Sequence, residues 1–281
     1  MPAKFDSLLV VISEPRSIVA ESYRALRTSI QRSLSSGVQS IMLVSTFSGD
    51  GKSTVCANVA AALTQLFLDV VLVDCDLRRP TISKLFEMDE RPGLSNYLLG
   101  EVSMDDLLVP TEIARLRVVP AGSTLENPGD LMGRPSLGEF CKQIRERCDV
   151  VIFDTSPMAA CSDALSLGPH IDSAAMVINP KRWDGDVENN IRQSLESHGI
   201  PVMGIILNGT DPMERYGYAT GGRYGYGYGY GSKSKSKASY GYGYGYGYGY
   251  GEEPRPDENL EKGKSKSKGS FWSKLASLWS D

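Results

Sequence analysis

Six short runs of consecutive apolar residues punctuate roughly the first 210 positions of this chain: Ile41 to Ser45, Val70 to Asp74, Leu116 to Pro120, Val150 to Asp154, Ala174 to Ile178 and Val202 to Leu207. Each is rich in Val, Ile or Leu and bounded by polar residues, Gly or Pro, and most are separated by stretches of helical length. Their apolar character is continuous rather than alternating. That predicts strands covered on both faces, as in a parallel sheet held between two layers of helix. The expected class is α/β, a three-layer sandwich around a mostly parallel central sheet.

The pattern stops near residue 212. Of the 14 tyrosines in the 281 residues, 12 fall between Tyr216 and Tyr250, mostly as alternating Gly-Tyr, and only Tyr23 and Tyr97 lie elsewhere. Leu, Ile, Val and Phe are too sparse here to offset ordering entropy until the last dozen positions, so a disordered C-terminal tail is expected. A self-associating Gly-Tyr stretch is the alternative. Three segments follow: a folded domain over 1–212, a Gly-Tyr-rich tail over 213–251, and a basic linker with a short amphipathic helix over 252–281. In the last of these, Phe271, Trp272, Leu275, Leu278 and Trp279 are spaced to line one helix face behind a run of lysines, a pattern suited to an anionic membrane surface or a partner's groove.

Charge divides at the same place. The formal net charge of −4 is a cancellation between a tail of +4 from Tyr216 onward and a body of −8 before it. Nucleic acid is not among the expected partners. The five cysteines, Cys56, Cys75, Cys141, Cys148 and Cys161, are odd in number, scattered and without a C-x-x-C pair. Neither a disulfide framework nor a structural zinc site is expected, and a reducing cytosol is the natural setting. The N-terminus lacks a basic flank before a long apolar stretch, and the most apolar window, Val59 to Val73, is interrupted by Thr64, Gln65 and Asp69. No signal peptide or membrane span is predicted.

Chemistry enters directly after the first apolar run, in Thr46-Phe47-Ser48-Gly49-Asp50-Gly51-Lys52-Ser53-Thr54 followed by the helical stretch VCANVAAALTQLF. Glycines that admit close backbone approach, a helix N-terminus and a lysine together make a phosphate-binding loop. Thr46 stands where the first glycine of G-x-x-x-x-G-K-[ST] belongs, yet the required strand precedes the loop and a helix follows it. A dinucleotide reading, with Asp74 on a ribose, fails because Thr54 occupies the place of its third glycine. The expected nucleotide contacts are Ser48, Gly49, Asp50, Gly51, Lys52, Ser53 and Thr54, with Asn208 at the end of the last apolar run. The architecture is then P-loop NTPase-like.

Two further segments place carboxylates at strand ends: VVLVDCDLRRP with Asp74 and Asp76, and VVIFDTSP with Asp154. Magnesium takes oxygen ligands and retains several waters, so Ser53, Asp76 and Asp154 beside nucleotide phosphates meet its needs. Lys52, Asp74, Asp76 and Asp154 are the candidate catalytic set, with Asp74 available to accept a proton from an incoming hydroxyl or to help organise the metal shell. His170 and His198 read as ordinary surface or packing residues.

At this point the chain resembles the bacterial tyrosine autokinases of capsule and exopolysaccharide biosynthesis. The resemblance rests on the phosphate loop at Gly49 to Thr54, a D-x-D-x-R segment at Asp74 to Arg78, Asp154, and the terminal tyrosine cluster. It extends through SIVAESYRALRTSI, RPTISKLFEMDERPGLSNYLLGE, VVPAGSTLENPGDLM and DALSLGPHIDSAAMVI, spanning roughly residues 15 to 250. It implies ATP and Mg2+ as cofactors and transfer of phosphate to the chain's own tyrosines; the candidates are Tyr224, Tyr226, Tyr228, Tyr230, Tyr240, Tyr242, Tyr244, Tyr246, Tyr248 and Tyr250. It also implies a ring of subunits built through the E-x-x-R-x-x-R face of Glu21, Arg24 and Arg27 in the 15–35 helix region; a solvated charged face is the plainer reading of those residues. A separate transmembrane activator, a phosphotyrosine phosphatase and recruitment of a cytoplasmic protein to the inner membrane face are implied as well.

Two departures stand out. Phe47 occupies the place where related partitioning and cell-division ATPases carry an additional lysine, and Ser48-Gly49-Asp50 stands where these kinases commonly have Pro-Gly-Glu. The rival expectation is a partitioning or positioning ATPase switch without kinase activity, and a third is an inactive, self-associating scaffold. Flexible-chain scaling gives about 40 tail residues a reach of about 32–38 Å, enough for the chain's own site or a neighbour's.

Overall fold

The computed structural model describes residues 8–88, 91–123 and 127–210. The candidate phosphoacceptor tyrosines and the expected terminal helix lie outside the described residues. Seven strands form one sheet: β1 (Ser40–Ser45), β2 (Val70–Asp74), β3 (Val109–Pro110), β4 (Leu116–Val119), β5 (Val150–Asp154), β6 (Ser173–Ile178) and β7 (Val202–Leu207). Their spatial order is β3-β4-β2-β5-β1-β6-β7. Every neighbouring pair is parallel except β3 with β4.

The six predicted runs all appear as strands, with ends that move by at most one residue. β4 stops at Val119 because Pro120 has no N–H to donate to a ladder. The missed strand, β3, is two residues long and ends in Pro110, and it pairs antiparallel at the sheet edge where a proline is tolerated.

Alternate side chains of each buried strand feed two separate cores. Ile41, Leu43, Val70 and Leu72 face a core shared with Val55, Val59 and Leu63 of the helix Lys52–Thr64 and with Ile30 of the helix Ile18–Ser35. Met42, Val44, Val71 and Val73 face the other, with Phe140 and Ile144 of the helix Pro135–Arg145 and Leu195 of the helix Gly185–Ser197. A three-layer sandwich results. The helix Lys52–Thr64 lies between the sheet and the helix Ile18–Ser35. Its alanines at 57, 60, 61 and 62, all fully buried, allow that close approach.

Because β1, β2, β5, β6 and β7 run parallel, their C-terminal ends open on one edge of the sheet. That edge collects the phosphate loop after β1, Asp74 at the end of β2 and Asp154 at the end of β5. The loop after β6 and Asn208 after β7 arrive there too. The opposite edge is fastened by Asp172. Its Oδ2 accepts the amides of Gln39 and Ser40 and the Ser40 hydroxyl, at 2.8, 2.8 and 2.9 Å, and its Oδ1 pairs with Arg145 at 2.9 Å.

Partial burial works against the charged Asp172, but the Gln39 and Ser40 hydrogen bonds and Arg145 outweigh it and hold its carboxyl below the ordinary value. A carboxylate with a depressed native pKa stabilises the fold above the unfolded value of about 4, and this contribution is lost as pH falls through the native value. Asp172→Asn is therefore expected to cost about 1–2 kcal/mol at neutral pH, read by urea denaturation. The cost should shrink on acidification below pH of about 4.

Candidate active site

The phosphate loop is shaped by its two glycines. Gly49 and Gly51 hold φ of +86° and +84°, in the left-handed region open to residues without a side chain. An added Cβ on Gly51 would lie 2.0 Å from Asn208 Nδ2. That amide donates to the Asp50 carbonyl oxygen at 2.8 Å, so Asn208 fixes the loop's backbone. The loop turns into the helix beginning at Lys52, whose first turn presents unsatisfied amides to an anion. Ser53 and Thr54 follow, both half-buried.

Lys52, at 5% exposure, is turned inward onto Asp154 Oδ1, and Asp154 is fully buried. Desolvation opposes the Lys52 ammonium, but the Asp154 carboxylate more than compensates and holds its pKa above the ordinary value. The Cys56 thiol, one helical turn further on, donates to the same Oδ1 at 3.3 Å. Asp154 Oδ2 is buried with no hydrogen-bond partner.

Asp74 sits directly opposite Asp154 in the β2–β5 register. Its Oδ2 accepts the Ser83 amide at 3.0 Å and hydroxyl at 3.1 Å, and its Oδ1 accepts the Asp76 amide at 3.3 Å. Burial and the Asp154 charge push the Asp74 carboxyl up to about 7, against the Ser83 hydrogen bonds. Asp76 accepts from the Arg79 amide at 3.0 Å and the Ser156 hydroxyl at 2.8 Å, both on Oδ1, and it keeps 7% exposure. Lys52, Asp74, Asp76 and Asp154 are thus brought together at one end of the sheet.

Magnesium fits this donor set. No group of three or more His, Cys, Asp and Glu among the described residues forms a metal cage, but the buried Asp154 Oδ2 has no hydrogen-bond partner and is open to a cation. An ion there would take Ser53, Asp76, Asp154 and the nucleotide's own oxygens, the mixed shell that magnesium prefers.

Several positions lay beyond sequence reasoning. Ser83 and Ser156 orient the two aspartates of the second segment. Arg78 grips Asp163 through two hydrogen bonds of 2.7 and 3.1 Å, so the arginine of D-x-D-x-R braces the fold beneath the site. His170 packs against Gly138, as a packing residue should. On the helix Ile18–Ser35, Glu21 pairs with Arg24 at 2.6 Å, while Arg27 donates to Gln65 Oε1 at 2.9 Å on the neighbouring helix. Glu21 and Arg24 thus share a face, and Arg27 braces the chain's own adjacent helix end.

Residues 41–217 match the family described as the CobQ/CobB/MinD/ParA nucleotide binding domain. The tyrosine-protein kinase YwqD of Bacillus subtilis is 32% identical over 213 residues, covering 75% of this chain and 90% of the relative. The tyrosine-protein kinase Wzc of Salmonella typhi is 32% identical over 207 residues, but the chain spans only 28% of its length. The kinase domain of the Escherichia coli tyrosine kinase Etk superposes with a TM-score of 0.69 at 27% identity, over 79% of this chain and 84% of that one. MinD of Pyrococcus horikoshii, solved with Mg-ADP, gives 0.54 at 24% identity over 62% and 72%, a likeness of fold. Within the nucleotide-binding class that fold and loop define, the chain belongs to the bacterial tyrosine-protein kinases.

Gly51→Ala imposes both the Asn208 clash and a left-handed φ on a side chain. It is expected to weaken Mg-ATP binding by about tenfold or more, measured by calorimetry. Adding Asn208→Ala should restore only part of that loss, since the φ strain remains.

Proposed function

We propose that this protein transfers the γ-phosphoryl group of ATP to tyrosines of its own C-terminal cluster, acting in trans between subunits of a ring, and thereby regulates polysaccharide synthesis and export. The observation that carries this reading is the meeting at one sheet edge of a phosphate loop and three strand-end carboxylates, two of them in direct register. The loop amides and Lys52 hold the phosphates, which requires Lys52 to leave Asp154. Magnesium, when bound, neutralises charge on the phosphate oxygens. Asp76 and Asp154 position it, and Ser156 holds Asp76 in place. Asp74 accepts the tyrosine proton, since a phenol of pKa about 10 is a poor nucleophile at neutral pH. Catalysis is then mainly positioning and charge stabilisation.

The nearer likeness to kinases than to MinD favours this over a positioning switch. Membership of the kinase family also speaks against an inactive scaffold. The surroundings proposed for it are a transmembrane activator, an opposing phosphotyrosine phosphatase, and the inner face of the membrane, touched by residues 270–281.

Incubation with Mg-ATP followed by mass spectrometry of the tail is expected to find phosphotyrosine among Tyr224 to Tyr250. Lys52→Met should abolish it. Asp74→Asn should slow transfer by about 10²–10⁴-fold while changing ATP affinity only a few-fold. ATP turnover without tail phosphotyrosine would establish the switch reading instead.

Each added phosphate carries about −1.5 to −2 charges, so three or four of them invert a +4 tail beside a −8 body. Phosphorylated protein is expected to sediment as a smaller species than phosphatase-treated protein. Equal sedimentation would remove charge repulsion as the device that opens the ring.

A further inference from the structure

The loop after β6 carries a side chain that reaches back to the phosphate loop. Arg182 Nη1 donates to the Ser48 carbonyl oxygen at 2.6 Å and lies 3.3 Å from Asp50 Oδ1. Its guanidinium carbon stands 5.2 Å from the centroid of the Phe47 ring, within cation–π range. The same Nη1 would be 3.3 Å from a Cβ added to Gly49. One guanidinium therefore meets Phe47, Ser48 and Asp50 of the loop, from 134 positions beyond Ser48 in sequence.

Asp50 explains why a cation is needed there. It is a carboxylate inside a loop that must receive a polyanion, and it is only 2% exposed. Its Oδ2 is taken by the Phe47 amide at 2.8 Å, an internal bond that closes the loop on itself. Its Oδ1 is buried and accepts no hydrogen bond. What faces that oxygen is the positive charge of Arg182, placed for attraction through space rather than for a bond. A buried carboxylate without a compensating charge would repel an incoming phosphate chain, most strongly the one with the most negative charge.

We infer that Arg182 is a positioning residue of the nucleotide site: it clasps the phosphate loop and neutralises Asp50, so that a loop carrying its own carboxylate can accept ATP. Lys52 is paired with Asp154 on the inner side of the loop rather than with Asp50, and its proposed role is on the phosphates. Arg182 lies on the outer side, with 43% of its side chain exposed, where the guanidinium can hold the loop while nucleotide enters. The inference rests on the reading of this loop as the ATP site and adds the residue that sets its charge balance.

A double-mutant cycle tests it. Arg182→Gln keeps a side-chain N–H donor and removes the charge, together with the cation–π contact to Phe47. It is expected to weaken ATP binding by about tenfold and ADP binding by less, because ADP carries fewer phosphate charges. It should raise KM for ATP much more than it lowers kcat. In an Asp50→Asn background the same substitution should change ATP affinity by less than about threefold, since there is no carboxylate left to neutralise. Arg182→Lys should fall between wild type and Arg182→Gln, and it serves for the cycle if the glutamine variant melts early. An equal loss in both backgrounds, or an equal loss for ATP and ADP, would overturn charge compensation in favour of a purely structural strap. An unchanged affinity would remove Arg182 from the site altogether. If the wild-type chain bound no nucleotide in the same titration, the ATP-site reading would itself fall.

Discussion

Asp154 sits at full burial at the end of a central strand, and an uncompensated carboxylate there would be among the costliest groups in the molecule. Lys52 supplies the compensation, and it can do so only because the chain turns sharply at Gly49 and Gly51 between β1 and the following helix. That one pair joins the phosphate loop to the strand beside β1 and fixes where the helix begins. It also sets the state of Asp74, one strand over, whose carboxyl is pushed up by its own burial and by the Asp154 charge. This end of the sheet is thus a closed electrostatic unit built on the Lys52–Asp154 pair.

Much of this was legible in the sequence because it depends on local pattern. A strand buried on both faces needs an uninterrupted apolar run, and a loop that cradles phosphate needs glycines beside a lysine. The strand-end aspartates stood out for the same reason, as charges closing otherwise apolar segments. What escaped was carried by contacts between distant positions. Ser83, Ser156 and Arg182 have no periodicity or spacing to mark them, since each acts by reaching across the end of the sheet to a partner 9, 80 or 134 residues away. The edge strand β3 escaped for a different reason, as two residues ending in proline cannot show a period. The strand order was illegible too, yet it is this order that places Asp74 and Asp154 side by side.

The helix Ile18–Ser35 illustrates a middle case. Its three-residue spacing of Glu21, Arg24 and Arg27 defines a face correctly, while spacing says nothing about what that face touches. Arg27 spends hydrogen-bonding capacity on Gln65 of the same chain, and its Nε is buried without a partner. A residue placed in this way ties the outer helix to the C-terminal end of the helix that starts at the phosphate loop.

β7 runs parallel to β1, and this has a consequence for substrate selection. The described residues end two positions past Asn208, whose amide lies 2.8 Å from the phosphate loop, so the tyrosine cluster is joined to the fold at the same sheet edge as that loop. A covalent tether rooted there presents its residues at an effective concentration on the order of millimolar. At such concentrations a site needs almost no intrinsic affinity for the peptide it modifies. Under the proposed transfer to the chain's own tyrosines, recognition of a particular sequence would then be dispensable, the condition under which a run of near-identical Gly-Tyr units could serve as substrate.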